Sequence, residues 1–377
     1  MQKSTLPPPR LIETAASLAA LLPPLTAEPA LAVDTESNSL FVYRERVCLI
    51  QFSTPHKDYI VDPLRIGDLA SLAPLFANPR QQKIFHAAEY DLICLKRDYG
   101  FEFANLFDTM VAARTLGRPQ TGLAALLEAH FQVRMNKKFQ RANWGKRPLT
   151  PEQLDYARHD THSLFALRDL LVKELTAAGR LDEAQEEMDR LARVKFEPDP
   201  PDPQAFWRIT GARDLTPRQA AVLRELFVYR EQQAERLDLP PFKIMGDATL
   251  AGIAERCPAD SSELRKAPGM TEGQMGRYAH GLLQAVQRGL ANHPLTPPGA
   301  MHEPDDVRER YELLRRWRKQ TAQARGVESD VILPREALWE LARLAPRSLD
   351  DLGRIAHLGP WRRKTYGSEI LKVLASD

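Results

Sequence analysis

After residue 205 the chain repeats itself. Tyr229-Arg230 recurs as Trp317-Arg318, 88 positions later, and the same offset pairs Leu226 with Leu314, Ala234 with Ala322, Ile244 with Ile332 and Leu250 with Leu338 without a gap. It also pairs Pro258 with Pro346, Leu264 with Leu352 and Tyr278 with Tyr366. Solenoid units repeat every ~20–50 residues, so a period of this length marks a duplicated domain. Both copies are Leu-rich with few β-branched residues. The first opens on Thr216-Pro217-Arg218-Gln219, a capping box with proline at the first helical position. Two small all-α domains are expected.

Proline places the boundaries. Glu197-Pro198-Asp199-Pro200-Pro201-Asp202-Pro203 and His293-Pro294-Leu295-Thr296-Pro297-Pro298-Gly299 cannot be helical and favour extended spacers. They divide the chain into residues 1–196, 205–292 and 303–377. The first part has another rhythm. Leu31-Ala32-Val33-Asp34, Val47-Cys48-Leu49-Ile50-Gln51-Phe52, Tyr59-Ile60-Val61 and Lys83-Ile84-Phe85 read as strands. Tyr90–Tyr99, Met110–Leu116 and Thr150 to about Ala178 read as helices, so an α/β domain precedes the two helical ones. Leu18–Leu22, interrupted by Pro23-Pro24, reads as a short helix or cap.

With 52 Lys+Arg against 50 Asp+Glu the net charge is only +2, so a polyanion would have to be met by local patches. Cys48, Cys94 and Cys257 are too scattered for a disulfide framework or a zinc site. No apolar run approaches the ~18 residues of a membrane span. A cytoplasmic chain with no membrane association is expected. No G-x-G-x-x-G loop follows a strand, so no nucleotide cofactor is indicated.

Asp34 and Glu36 end the first predicted strand, and the period of two puts both on one face. Two neighbouring carboxylates repel unless a cation lies between them, although a strand end entering solvent would explain the pair as well. His86-Ala87-Ala88-Glu89-Tyr90-Asp91 follows a strand and opens a helix. Tyr156 and Asp160 lie one turn apart on a helix begun by the capping box Thr150-Pro151-Glu152-Gln153. Together Asp34, Glu36, Asp91 and Asp160 supply four negative charges, enough to offset two divalent cations at a phosphodiester-cleaving site. Tyr156 could orient the attacking water.

Asp34-Thr35-Glu36, the His86 to Asp91 segment and Tyr156-x-x-x-Asp160, in that order, resemble the three motifs of the DEDD exonuclease superfamily in its Tyr-containing branch. The repeats resemble the helicase-and-RNase-D C-terminal (HRDC) domain, most clearly at Leu313–Arg318, Ala345-Pro346-Arg347-Ser348 and Tyr366–Leu371. One such exonuclease domain followed by two such helical domains is similar to the bacterial ribonuclease D family. The resemblance implies a ribonuclease-H-like α/β fold and 3′→5′ release of mononucleotides from RNA, at the 3′ ends of tRNA precursors and other small structured RNAs. It further implies two Mg²⁺ or Mn²⁺ ions on Asp34, Glu36, Asp91 and Asp160, with Tyr156 positioning water. His86 stands where the family often has Asn and stays outside the catalytic set.

The segment Arg134–Arg147 is basic with interleaved aromatics, and Lys137, Lys138, Arg141, Trp144, Lys146 and Arg147 are expected to meet RNA. Arg315, Arg316, Arg318, Arg362, Arg363 and Lys364 mark the last domain as the stronger RNA grip. Trp317 aligns with Tyr229 and is expected in the core, and His159 and His162 are expected as exposed helix residues. A monomer is expected. The rival readings are a 3′→5′ DNA exonuclease, since the same metal chemistry serves either sugar, and a non-catalytic nucleic-acid adaptor, for which four converging charges would be a handicap.

Overall fold

A computed structural model describes residues 7–198, 202, 204–299 and 303–375. It separates into two compact units, one holding residues 1–37, 47–196 and 302–377, the other 38–46 and 197–301. Part of the first proline-rich spacer, including Asp199-Pro200-Pro201 and Pro203, lies outside the described residues.

In the first unit the strands are β1 (Arg10–Ile12), β2 (Ala30–Ser37), β3 (Val47–Ser53), β4 (Asp58–Val61), β5 (Gln82–Phe85) and β6 (Leu106–Asp108). They form one sheet in the order β1-β4-β3-β2-β5-β6, antiparallel only at β2/β3 and β3/β4. The central strand β2 alternates faces. Leu31 and Val33 join one core with Ile50, Phe52 and Phe85, whereas Ala30 and Ala32 join another with Ile84 and Phe107. Burial on both faces explains why these strands read as continuous apolar runs. The helices are α1 (Ala15–Ala27), α2 (Pro63–Ile66), α3 (Ala73–Ala77), α4 (Glu89–Tyr99), α5 (Thr109–Thr115), α6 (Leu123–Phe131), α7 (Pro151–His162), α8 (Leu164–Ala177) and α9 (Leu181–Ala192). The long helix expected after Thr150 is two helices broken at Ser163. The short edge strands β1 and β6 escape a period-two reading because three residues carry too little alternation.

In the second unit α10 (Pro217–Leu237), α11 (Pro241–Ile244), α12 (Asp247–Arg256), α13 (Ser261–Arg265) and α14 (Glu272–Ala291) form the first helical copy. A Cβ at Gly289 would stand 2.4 Å from the Val222 Cα, so glycine there lets α14 approach the α10 backbone. The segment 38–46 belongs to this unit: Tyr43 donates its N–H to Asp238 at 3.1 Å and Arg44 pairs with Glu235 at 2.9 Å.

The second copy, α15 (Asp305–Arg325), α16 (Ser329–Ile332), α17 (Arg335–Leu344) and α18 (Pro360–Leu374), is not a free-standing third body. Arg325 places two N–H groups on Glu183 of α9, at 2.8 and 2.6 Å, and Glu183 is only 1% exposed. Arg362 reaches Glu186 at 3.0 Å and Glu187 at 3.2 Å, and the Trp361 N–H donates to Glu186 at 2.5 Å. A Cβ at Gly117, whose φ is also +74°, would strike the Gly326 backbone carbonyl, so that contact requires glycine; one at Gly359 would displace the Glu186 carboxyl.

Candidate active site

The end of β2 carries Asp34 and Glu36, both half-buried. The second element arrives through a tight turn. Asp108 caps α5 by accepting from the Met110 and Val111 N–H groups at 2.7 and 3.1 Å, and it also accepts from the Ala87 and Ala88 N–H groups at 3.1 and 2.7 Å. It thereby holds Ala87 at φ +61°, a left-handed conformation unfavourable for a residue with a Cβ. That turn delivers the buried Asp91 in the first turn of α4, where the Thr35 hydroxyl donates to it.

The third element is α7. Thr150 and Gln153 satisfy one another's backbone N–H groups at 3.2 and 3.0 Å, which sets the first turn. The helix is pinned to the sheet where Ser53 meets the Thr161 hydroxyl at 2.6 Å and His162 meets Asp58 at 3.1 Å. Burial alone would raise the Asp58 carboxyl, but the bonds from His162 and Ser53 outweigh it and hold it below its ordinary value. His162 is therefore an anchor rather than the exposed residue expected. His159 is likewise half-buried, its ring against the Asp155 carbonyl. With α7 fixed, one carboxylate oxygen each of Asp34, Glu36 and Asp160 lie within 4.8 Å of one another.

This arrangement is costly without a counter-ion. Burial, then the charges of Asp91, Asp160 and Glu36, pushes the Asp34 carboxyl well up. Burial and the Asp160 and Asp91 charges do the same to Glu36. Burial raises Asp91 to about 7, and burial with the Asp91 charge raises Asp160 to about 7. A set of hard oxygen donors, close-packed and mutually repelling, fits divalent Mg²⁺ or Mn²⁺. The phenol of Tyr156 is also pushed up, first by burial and then by Asp160, Glu36 and Asp34, so it stays protonated and able to donate. Its ring is held edge-on by Phe139 at 5.8 Å and tilted against Trp144 at 5.9 Å between centroids.

The raised carboxyls make a pH prediction. Unfolded carboxyls titrate near ~4, so without metal the folded chain binds more protons than the unfolded one between about pH 4 and 7. That contribution to stability is full at the acid end and is lost as pH rises through about 7. In EDTA, Asp160→Asn should therefore gain urea stability relative to wild type as pH goes from 4.5 to 8, and Mn²⁺ should shrink the gain. A constant difference across that range would contradict the repulsion.

The basic residues divide. Lys137, Lys138, Arg141 and Lys146 are exposed in the loop before α7. Trp144 is 1% exposed and offers no face to a base; it packs against the Tyr156 ring instead. Arg147 turns inward onto the buried Asp62, at 2.5 and 2.8 Å, and onto the Cys48 carbonyl. In the last domain Arg362 is buried in the α9 contact, and Arg318 is half-buried with its guanidinium on the Leu333 carbonyl. Arg315 is exposed but paired with Glu312 at 2.8 Å; Arg316 and Lys364 are exposed and Arg363 is half-buried. Burial leaves Trp144 and Arg362 no surface to offer RNA, while the half-buried Arg147 and Arg318 spend their guanidinium groups on Asp62 and on the Leu333 carbonyl. Trp317 lies against the core of its domain, as its alignment with Tyr229 suggests. Asp108 was not singled out from sequence, although an Asp before a helical run is an N-cap signal.

A 3′-5′ exonuclease domain model matches residues 9–176, and the HRDC domain matches twice, at 219–286 and 307–374. The ribonuclease D of Acidiphilium cryptum is 31% identical over 374 residues, covering 97% of this chain and 93% of that protein. That of Nitrobacter hamburgensis is 31% identical over 371 residues, covering 96% and 94%. Escherichia coli RNase D, whose crystal structure is described as that of an exoribonuclease involved in structured RNA processing, superposes with a TM-score of 0.71 at 25% identity over 98% of this chain and 99% of that one. The catalytic core of RRP6 from Trypanosoma brucei superposes at 0.68 with 30% identity, covering 77% and 82%. An α/β exonuclease domain, two HRDC domains and near-full-length likeness to these enzymes make the chain a member of the ribonuclease D family and a 3′-5′ exoribonuclease.

Proposed function

We propose that the cluster at the end of β2 is the catalytic centre, releasing 5′-mononucleotides from the 3′ ends of small structured RNAs such as tRNA precursors. The observation that carries this is the convergence of Asp34, Glu36 and Asp160 oxygens within 4.8 Å, beside Asp91 and one helical turn from Tyr156. Asp34, Glu36, Asp91 and Asp160 would hold two divalent ions, Mg²⁺ or Mn²⁺. When bound, such ions activate the attacking water and stabilise the departing oxygen. Tyr156 does the positioning: its protonated hydroxyl orients that water, and the Phe139 and Trp144 rings hold the phenol in place. Lys137, Lys138, Arg141 and Lys146 attract the phosphates of the incoming single-stranded tail, with Arg315, Arg316, Arg363 and Lys364 as further phosphate contacts. No helix among the described residues is long and apolar enough to cross a membrane; we place the enzyme in the cytoplasm as a monomer.

The test uses 5′-labelled RNA and DNA with single-stranded 3′ tails, in Mg²⁺, Mn²⁺ or EDTA. RNA should shorten stepwise from its 3′ end with metal and stay intact in EDTA. Digestion in EDTA would refute the role of the ions, and preference for DNA would overturn the choice of substrate. Tyr156→Phe should lower turnover by roughly 10²-fold, the scale of one positioned proton-handling group, with RNA affinity unchanged. Equal turnover would remove Tyr156 from its role.

A further inference from the structure

The strand beside Asp34 holds an amide with nothing to bond. Gln51 of β3 is fully buried, and neither its Nε2 nor its Oε1 has a hydrogen-bond partner. Among the described residues no other buried side chain leaves both a donor and an acceptor unsatisfied. In the antiparallel register Gln51 stands directly opposite Asp34, just as Glu36 stands opposite Leu49 and Ala32 opposite Ser53. Opposed residues share a face, so the amide lies on the side of the sheet covered by α7. On its other flank it faces Ile60 of β4, which packs with Leu49, Ala157 and Tyr156.

Buried polar groups without partners are rare, and each one asks for a missing partner. An apolar residue would fill this position with no desolvation cost. Ser53, the next residue on the same face, is satisfied twice, by Asp58 at 2.6 Å and Thr161 at 2.6 Å. Gln51 thus sits between a completed polar network and the carboxylate cluster, and only the cluster is incomplete without its ions.

We propose that Gln51 is a positioning residue for the metal site. Its Nε2–H donates to the Asp34 carboxylate and its Oε1 accepts from a water of the filled site, so that the amide is satisfied only when divalent ions are bound. This rests on the catalytic reading of the carboxylates and adds a residue to it. Groups behind metal ligands commonly change affinity by about 10- to 100-fold when removed.

Gln51→Met, similar in length and apolar, separates this role from a structural one. Manganese binding to the full chain is measured by titration calorimetry, and melting is followed in EDTA. The variant should melt at or above the wild-type temperature in EDTA, because an unpaired amide has been removed. It should bind Mn²⁺ about 10-fold or more weakly, with the metal half-saturation of RNA cleavage shifted by the same factor. Manganese affinity within twofold of wild type overturns the proposal. Melting below wild type in EDTA, for Gln51→Met and Gln51→Leu alike, also overturns it, since the amide would then support the apo fold. Failure of the wild-type chain to bind Mn²⁺ would instead strike at the carboxylate site itself.

Discussion

An Asp34→Asn variant is expected to lose at least about 10³-fold in exonucleolytic rate, roughly 4 kcal/mol of transition-state stabilisation, while binding RNA as well as wild type. Asp34 is where the cluster is joined: its carboxyl feels Asp91, Asp160 and Glu36 together. The amide keeps the shape and removes the charge, so the site loses a ligand without a cavity. The same change should stabilise the metal-free protein at neutral pH, because folding no longer has to protonate or crowd a carboxyl that ionises freely in the unfolded chain. Single-turnover decay of a tailed RNA, filter binding and a melt in EDTA measure the three quantities. A variant that is slow, binds RNA normally and melts higher in EDTA fits a site strained for metal binding. A variant that melts lower in EDTA would show that Asp34 supports the fold instead.

Breaking the α9 contact should have the largest effect on stability. Glu183 is almost fully buried and takes two N–H groups from Arg325, whose guanidinium also contacts the Tyr366 hydroxyl. Removing one member of a buried pair strands the other, a cost of about 3–5 kcal/mol. Glu183→Ala should therefore release α15–α18 from the exonuclease sheet, seen as faster amide hydrogen exchange in α9 and α18 and as a second calorimetric transition. Replacing Glu183 and Arg325 together by methionine should recover most of the loss, because no charge is then left unpaired. A loss as large in the double variant as in Glu183→Ala would show that the helix packing, not the ion pair, holds this contact.

The convergence of Asp34, Glu36 and Asp160 was legible in part because they sit at a strand end and on a helix turn, where local spacing is informative. Asp34 and Glu36 share a face by the period of two, and Tyr156 and Asp160 share one by the helical turn. What brings Asp91 beside them was not legible. It depends on Asp108 gripping the turn at Ala87, a contact across 21 residues. Basic residues were read least well. A run of arginines and lysines says that charge is present but not which way each side chain points. Arg147, half-buried, and Arg362, buried, proved to be partners of Asp62 and Glu186, while Lys137 and Lys138 in the same basic segment as Arg147 remain exposed. The docking of the last domain was hidden for the same reason, since Glu183 and Glu186 look on the page like any solvated helix face.

That docking records what happened to a duplicated module after it doubled. At the positions where the later copy carries Arg325, Asp330, Trp361 and Arg362, the earlier copy has Leu237, Phe242, Gly273 and Gln274. None of these supplies a cationic side chain for an acidic helix or the carboxylate by which Asp330 pairs with Arg114, and Leu237 and Phe242 are exposed. The two copies share ancestry and fold but not vocation. The later one has become a fixture of the nuclease, so mutations that would be neutral drift in its sibling are under structural constraint in it, and exchanging one copy for the other would preserve the helices while losing the attachment.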